Sequence, residues 1–305
     1  MENKIYDTVI IGGGPAGYTA ALYAVRAGFD TLVLEKFSAG GQMTETAKID
    51  NYPGFEESID GFTLGYKMQQ AAENFGAKTI QTEVLSVRLK ENPKVIYTDS
   101  GEFYAKTVII AAGAKHRHLN LENEEALIGK GVGYCATCDG MFYKNKTVAV
   151  VGGGNSAAAD ALFLSNICEK VYLIHRRDKL RATQIYHKPL MAASNVEFKW
   201  NSVVDELLYD ERLKGIKLIT QNGEEKLQID GLFISIGRSP STEIFRDELE
   251  LDSNGYIIAD ESTRTNIGGV FAVGDIRTKA LRQIVTAAAD GATATYFMQE
   301  YLDNL

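Results

Sequence analysis

The sequence predicts an α/β protein with two Rossmann-like nucleotide-binding domains, and three observations support this fold class. The order strand, glycine-rich turn, helix, strand occurs twice, beginning with the turns at residues 12–17 and 152–157. The 305 residues suffice for about two domains. Hydrophobic residues make up 45% of the chain and charged residues 24%, which is typical of a globular protein.

The first copy of the pattern begins with the short apolar strand Asp7–Ile11. An alanine-rich helix from Tyr18 to Arg26 follows the turn, and the next strand, Thr31–Leu34, ends at Glu35. The turn consists of Gly12, Gly13, Gly14, Pro15, Ala16 and Gly17. Glycines allow the backbone to turn tightly and to approach a pyrophosphate at the helix N-terminus, and an acid in this place accepts hydrogen bonds from ribose hydroxyls. This copy therefore predicts a site for a dinucleotide with an unsubstituted ribose.

The second copy has a strand at Thr147–Val151, a helix from about Ala158 to Ser165 and a strand at Val171–Ile174. Its turn consists of Gly152, Gly153, Gly154, Asn155, Ser156 and Ala157. The position that matches Glu35 is His175. Three arginines come next, at Arg176, Arg177 and, one expected helical turn further on, Arg181.

This exchange of an acid for a basic cluster changes the nucleotide that the second site can accept. A carboxylate would repel a ribose 2′-phosphate, whereas guanidinium groups bind phosphate by charge-assisted, often bidentate hydrogen bonds. The second copy therefore predicts an NADPH site. The alternative is that the arginines form an ordinary solvated surface run.

Two of the three cysteines form the motif Cys135-Ala136-Thr137-Cys138. Such a pair can cycle between dithiol and disulfide, or can bind a metal. Zinc would need two further ligands of suitable spacing, and because the four histidines supply no second pair, we expect no metal site. Asp139 could move a proton during thiol chemistry or could simply cap a helical turn. Cys168 lies in an apolar, apparently helical stretch that predicts an inert core thiol.

Charge and hydropathy exclude several classes of protein. The net charge is −8 and the chain has no stripe of lysine and arginine, so we expect no nucleic-acid surface. No apolar run approaches the roughly 20 residues of a membrane helix. The N-terminal residues lead into a strand pattern without a signal region, so we expect a cytoplasmic protein.

Two segments closely resemble the signature segments of low-molecular-weight thioredoxin reductases, which are FAD- and NADPH-dependent pyridine nucleotide-disulfide oxidoreductases. They are Gly133–Gly140, which contains the cysteine pair, and His175–Ala182, which contains the arginines. Further matches cover most of the chain: Gly41–Met43, Asn51–Gly54, Ala112–Ala114, Gly237–Pro240, Phe271–Ile276 and Arg282-Gln283. One departure is Ala158-Ala159-Asp160, which keeps a single acid where many relatives have two.

The resemblance implies a discontinuous FAD domain, residues 1–114 plus 246–305, into which an NADPH domain of residues 115–245 is inserted. It implies that Glu35 holds the adenosine ribose, that Gln42 and Asn51 contact the flavin side, and that Asp275 holds the ribityl chain. The implied FAD-binding residues are Gly12, Gly14, Pro15, Ala16, Gly17, Glu35, Gly41, Gln42, Asn51, Ala112, Gly113, Gly274, Asp275, Arg282 and Gln283. The implied NADPH-binding residues are Gly153, Gly154, Asn155, Ser156, His175, Arg176, Arg177, Arg181 and Gly237.

The resemblance also implies a route for electrons, with Cys135, Cys138 and Asp139 as the catalytic residues. NADPH would reduce FAD, reduced flavin would open the disulfide through Cys138, and Cys135 would attack a thioredoxin-like protein. We also expect a homodimer, as in the family. Two alternatives remain open: another redox partner such as a glutaredoxin-like or peroxidase protein, or a flavin-binding redox sensor without turnover.

Overall fold

The structure is a computed structural model that describes residues 4–46 and 49–305, so the first three residues of the strand-like N-terminal pattern lie outside the described part. The chain divides into two compact units: residues up to Lys115 together with Ser239–Leu305, and the inserted His116–Arg238. The strands of the first unit and its connections are β1 (Ile5–Ile11), β2 (Thr31–Glu35), β3 (Lys78–Gln81), β4 (Val84–Arg88), β5 (Lys94–Thr98), β6 (Gly101–Ile110), β7 (Ala114–His116), β16 (Arg238–Pro240) and β17 (Val270–Ala272). Those of the second are β8 (Val132–Gly133), β9 (Thr147–Val151), β10 (Lys170–Ile174), β11 (Val196–Lys199), β12 (Val203–Tyr209), β13 (Leu213–Thr220), β14 (Gly223–Gln228) and β15 (Gly231–Ile234).

The helices of the first unit are α1 (Pro15–Arg26), α2 (Gly61–Glu73) and α6 (Ile284–Leu302). Those of the second unit are α3 (Ala136–Asp139), α4 (Asn155–Ser165) and α5 (Gln184–Ala192). Helices α1 and α4 begin three residues earlier than the sequence pattern predicts. In each case a glycine in extended conformation caps the helix, and in α1 a proline takes the first turn, where its missing N–H costs nothing.

The first unit is built on a sheet in the order β3-β2-β1-β6-β5-β4, with β17 also paired to β6. The strands β3, β2, β1, β6 and β17 are parallel. Side chains of β1 pack alternately on the two faces: Val9 and Ile11 join one buried cluster and Ile10 joins the other, which includes α1 and α6. Because both faces are covered, the strand is a nearly continuous apolar run.

The second unit repeats this arrangement with a parallel sheet in the order β11-β10-β9-β15-β8. Val148 and Val150 of β9 pack with helices α4 and α5, whereas Ala149 and Val151 pack with the antiparallel sheet β12-β13-β14. The two glycine-rich turns follow β1 and β9, at the carboxyl ends of their parallel sheets, where open α/β sheets bind ligands. The predicted α/β fold with two nucleotide-binding units is therefore confirmed.

The second connection between the units lies earlier than the expected boundary at residue 245. Residues 239–245 belong to the first unit. There the Ser241 N–H donates to the Gly113 carbonyl at 3.1 Å, Thr242 Oγ1 donates to the Gly255 carbonyl at 2.8 Å, and Phe245 is fully buried. This packing ties the segment to the first unit. In the part of the chain that the structure describes, no helix is both long and apolar enough to cross a membrane.

Candidate functional site

The first glycine turn joins β1 to α1 in a conformation that requires glycine. Gly12 has a φ of +107°, and a Cβ placed there would stand 2.5 Å from the carbonyl oxygen of Ala111. Gly14 precedes the helix without a side-chain cap. The first N–H groups of α1 therefore point out of the turn without acceptors in their own helix, an arrangement that suits a pyrophosphate.

Glu35 lies at the end of β2 and is fixed by backbone donors. Its carboxylate accepts hydrogen bonds from the N–H of Gly13, in the glycine turn, and from that of Phe37 at 2.9 Å. The same side chain lines a cavity of about 280 Å³ together with Tyr18, Phe62 and Tyr66. An anchored acid beside an aromatic cavity suits the ribose and adenine of a dinucleotide.

Several other predicted FAD residues surround this turn. The Gly40 N–H donates to the Gly13 carbonyl at 2.8 Å, and a Cβ on Gly41 would stand 3.5 Å from the Cα of Gly14. The Gln42 amide donates to the carbonyl of Ala114, just beyond the predicted Ala112 and Gly113. The segment at Gly40-Gly41 therefore lies directly against the glycine turn.

The C-terminal candidates form a second group in the same unit. Gly274 has a φ of +72° and packs on Ala16 of the first turn, where an added Cβ would stand 3.0 Å from the Ala16 Cβ. Asp275 follows directly in the same tight turn. Asn51 Nδ2 donates to Gln283 Oε1 at 2.9 Å, so two residues 232 positions apart meet.

Arg282 lies beside this group and stacks on an aromatic ring. Its guanidinium carbon lies 4.1 Å from the ring centroid of Tyr256, and Nη2 donates to the Arg277 carbonyl at 3.3 Å. Glu35 belongs to a different group, because its hydrogen bonds are to Gly13 in the glycine turn and to Phe37. The predicted FAD residues therefore form two groups, which the Gly274–Ala16 contact links.

The second glycine turn is packed as tightly as the first. Gly152 has a φ of +150°, and the Gly153 carbonyl accepts hydrogen bonds from the N–H groups of Arg181 and Ala182 at 2.7 and 3.1 Å. The Asn155 side chain accepts from the Thr183 N–H at 2.8 Å. The segment after β10 is thereby tied to the turn, which brings the arginines next to it.

His175 takes the place that Glu35 has in the first copy, and its ring packs directly against the Gly153 backbone, leaving no room for a side chain there. Only 5% of the residue is exposed, and Nε2 has no hydrogen-bond partner among the described residues. Burial, then the positive charges of Arg181, Arg177 and Arg176, lower the pKa of His175. The imidazole is therefore neutral at pH 7 and packs as an uncharged ring against the glycine turn.

The three arginines around His175 are exposed. Arg181 does not lie one helical turn further along, as the sequence pattern predicted, because residues 176–183 form an irregular loop with several bends before α5. Its main chain bonds to Gly153 instead. Gly237 follows β15, has a φ of +107°, and accepts a hydrogen bond from the Arg117 N–H at 3.2 Å.

The cysteine pair lies at the start of the four-residue helix α3 in the second unit. Cys135 and Cys138 are joined by a disulfide, and the Cys135 carbonyl accepts the N–H groups of Cys138 at 3.2 Å and Asp139 at 3.1 Å. Both cysteines are half-buried.

The third cysteine, Cys168, is a buried free thiol. It lies in a turn beyond α4 and not in a helix as expected. Burial raises the pKa of its thiol to about 11.

Asp139 can hold a proton near neutral pH. Burial raises the pKa of its carboxyl to about 6. Its Oδ2 lies 3.3 Å from the position that a Cβ on Gly133 would occupy, so a side chain at residue 133 would press on the carboxyl. A carboxyl with such a pKa can donate or accept a proton during thiol–disulfide exchange.

Sequence reasoning missed a partly buried network around Tyr134, the residue before Cys135. The Tyr134 hydroxyl donates to Glu124 Oε1 at 2.5 Å and lies 2.8 Å from His118 Nδ1. The ring of His116 stacks on it with centroids 4.7 Å apart. Glu124 is buried and also accepts the N–H groups of Leu119 and Leu121, yet in the sequence it looks like one of several surface acids. No local pattern could have distinguished it.

We expect the substitution Asp139→Asn to stabilise the oxidised protein above pH 6 and to have little effect near pH 4. The folded-state pKa of about 6 exceeds the unfolded value of 3.8, so ionisation costs stability as the pH rises through that window. Two pKa units correspond to about 3 kcal/mol. Thermal unfolding at pH 4 and pH 8 measures the difference, with Glu211→Gln as an exposed control. Equal melting temperatures at pH 8 would mean that the carboxyl is solvated.

Comparisons with known proteins agree with this geometry. A family model described as pyridine nucleotide-disulphide oxidoreductase matches residues 6–291. The chain is 46% identical to a thioredoxin reductase of Listeria monocytogenes, over 100% of this chain and 96% of that protein. It is 43% identical to a thioredoxin reductase of Bacillus subtilis, over 100% of this chain and 97% of that protein.

The solved structures lead to the same family. The crystal structure of thioredoxin reductase from Streptococcus pyogenes superposes with a TM-score of 0.92 at 41% identity, and the match covers 100% of both chains. The glycine turns, the cysteine pair and the full-length similarity together show that the chain belongs to the pyridine nucleotide-disulphide oxidoreductase family and, within it, to the thioredoxin reductases.

Proposed function

We propose that this protein uses NADPH to reduce the disulfide of a thioredoxin-like protein, through FAD and the Cys135–Cys138 pair. The observation that carries the proposal is the disulfide itself, half-buried at the start of α3 in the same unit as the arginine-flanked glycine turn. A plain electron-transfer flavoprotein would need no such pair. The relatives named thioredoxin reductase point to the same reaction.

The first unit suits FAD. The uncapped start of α1 would accept the pyrophosphate, and Glu35 would accept the ribose hydroxyls. The Gly274–Asp275 turn, which packs on Ala16, would hold the ribityl chain, with Gln42 and Asn51 toward the flavin. FAD supplies the two-electron chemistry that side chains lack, linking hydride from NADPH to a disulfide.

The second unit suits NADPH. Its open glycine turn at Gly154 leaves the N-terminus of α4 accessible to the pyrophosphate, since nothing lies within 4 Å of a Cβ placed there. Arg176, Arg177 and Arg181 would bind the 2′-phosphate, and the neutral ring of His175, which packs on Gly153, would hold the glycine turn beside them.

In the reduced state, the two cysteines would act in turn on the partner. The Cys135 thiolate attacks one sulfur of the partner's disulfide, which forms a mixed disulfide and releases a partner thiolate. The Cys138 thiolate then attacks Cys135, which restores the enzyme disulfide and releases the second partner thiolate. Each enzyme thiol loses its proton before it attacks, so two electrons and these two protons pass to the partner, and Asp139 would relay a proton to a leaving thiolate.

We further propose a cytoplasmic homodimer. Three aromatic side chains outside the cavity beside Glu35 are exposed, on α1, just after α2 and on α6: Tyr23, Phe75 and Tyr296. A two-fold interface would cover some of them. Light scattering at several concentrations measures the mass in solution.

The deciding experiment is NADPH oxidation by the FAD-loaded protein with a thiol-reporting dye in large excess. We expect many equivalents of dye to be reduced, strictly in the presence of added thioredoxin. Turnover with a glutaredoxin-like or peroxidase partner instead would assign a different acceptor. A single round of cysteine reduction without turnover would indicate a redox sensor.

A further inference from the structure

Three charged side chains lie buried together in the C-terminal part of the first unit. The side chains of Arg277, Lys279 and Asp290 are 2%, 6% and 9% exposed. Arg277 binds the Asp290 carboxylate through two parallel hydrogen bonds, Nε to Oδ2 at 2.9 Å and Nη2 to Oδ1 at 2.8 Å. Lys279 Nζ donates to Oδ2 at 2.8 Å. We call these three residues the charged triad.

Stability alone does not account for the charged triad. Two cations face one carboxylate, so the group carries a net positive charge, and the Glu261 carboxylate, 4.0 Å from Arg277, is fully exposed and too screened to offset it. Burying such groups costs solvation, and apolar side chains of similar size usually serve stability as well or better. The arrangement therefore points to a positional role.

Asp290 reaches the turn that precedes Asp275. Its Oδ2 also accepts the Gly274 N–H at 2.8 Å, in addition to Arg277 and Lys279. Gly274 has left-handed backbone geometry and packs on Ala16 in the first turn of α1. The carboxylate thus fixes the conformation of the turn from which Asp275 projects.

The other two members of the triad fasten the segment that follows. Arg277 Nη1 donates to the Thr278 and Ala259 carbonyls at 2.9 and 3.3 Å, and Lys279 Nζ donates to the Thr286 carbonyl at 3.2 Å. In α6, the neighbour of Asp290 is Gly291, and a side chain there would collide with the Ala16 carbonyl. The triad therefore connects α6 to the Gly274–Asp275 turn, and both of these elements pack on Ala16 of the first glycine turn, through Gly291 and Gly274.

We propose that Asp290, held in place by Arg277 and Lys279, is a positioning residue for the FAD site. It sets the Gly274–Asp275 turn in its binding conformation before the cofactor arrives, so that FAD does not have to order the turn on binding. The inference rests on the proposed function, because it takes Asp275 as a ligand of FAD.

The test is the affinity of the apo-protein for FAD, measured by quenching of flavin fluorescence. We expect Asp290→Asn to weaken binding about tenfold or more, because Gly274 loses a charge-assisted hydrogen bond. At saturating FAD, the visible circular dichroism of the bound flavin should change. Thr295→Val is the matched control: it removes a buried hydrogen bond between α6 and the Ala20 carbonyl, away from the turn, and should bind FAD as the wild type does.

Asp290→Asn leaves Arg277 and Lys279 buried without a counter-charge and could prevent folding. The triple variant Arg277→Met, Lys279→Met, Asp290→Leu avoids this problem, because it replaces all three charges with apolar side chains of similar size. We expect it to fold as apo-protein and still to bind FAD about tenfold more weakly or worse. Wild-type affinity and an unchanged flavin spectrum in the triple variant would overturn the proposal. Failure of the wild-type apo-protein to bind FAD would instead overturn the proposed function.

Discussion

We expect that replacement of Cys138 with serine abolishes the reduction of thioredoxin by NADPH and leaves the reduction of the bound flavin by NADPH largely intact. The reason is that hydride transfer to the flavin precedes thiol chemistry, whereas every later step needs two sulfur atoms that can form and break one bond. Loss of one of them stops the reaction completely. Stopped-flow bleaching of the flavin absorbance measures the first half-reaction, and the thioredoxin-dependent dye assay measures the second.

Cys168→Ala is the matched control, because Cys168 is the third cysteine and is buried. Burial raises the pKa of its thiol to about 11, so the thiol stays protonated at neutral pH. It should support turnover at the wild-type rate. If the Cys138→Ser protein contains normal FAD but no longer bleaches with NADPH, the assigned order of the half-reactions is wrong. If it still reduces thioredoxin, the cysteine pair does not carry the electrons.

Features that depend on neighbouring residues were predictable from the sequence. The two glycine turns, their flanking apolar strands, and the exchange of Glu35 for His175 follow from backbone sterics and from the charge of a ribose phosphate. Helices α1 and α4 begin three residues before the predicted starts. The prediction relied on the alanine pattern, which does not take into account that glycine and proline are favourable at the beginning of a helix.

Contacts between distant residues could not be predicted in this way. The pairing of β17 with β6 joins segments more than 150 residues apart, and periodicity says nothing about the partner of a strand. Asp290 looks like an ordinary polar residue in an alanine-rich helix, and Glu124 like one of several surface acids. The fold brings each of them to a distant partner: Asp290 accepts a hydrogen bond from the Gly274 N–H, and Glu124 accepts one from the Tyr134 hydroxyl.

The arginines beside the second glycine turn give the other large expected effect. Replacing Arg176 and Arg177 together with alanine should reduce the preference for NADPH over NADH by about ten- to a hundredfold. This range assumes the net loss of one charge-assisted hydrogen bond to the phosphate, which contributes about 1.5–3 kcal/mol, because about 1.4 kcal/mol corresponds to a factor of ten. NADH has no 2′-phosphate, so its kinetics should change little.

Steady-state kcat/KM for both nucleotides, each with thioredoxin in excess, measures this preference. Arg212→Ala with Lys226→Ala is the matched control, since it removes two positive charges from exposed positions in the same unit, away from the turn. The control separates local phosphate binding from a general loss of attraction for anions, and both variants are compared at one fixed salt concentration because salt screens both effects. If kcat/KM falls equally for NADH and NADPH in the arginine variant, the two arginines act through folding or general binding. The preference for NADPH must then come from another group such as Arg181, whose main chain is bonded to Gly153.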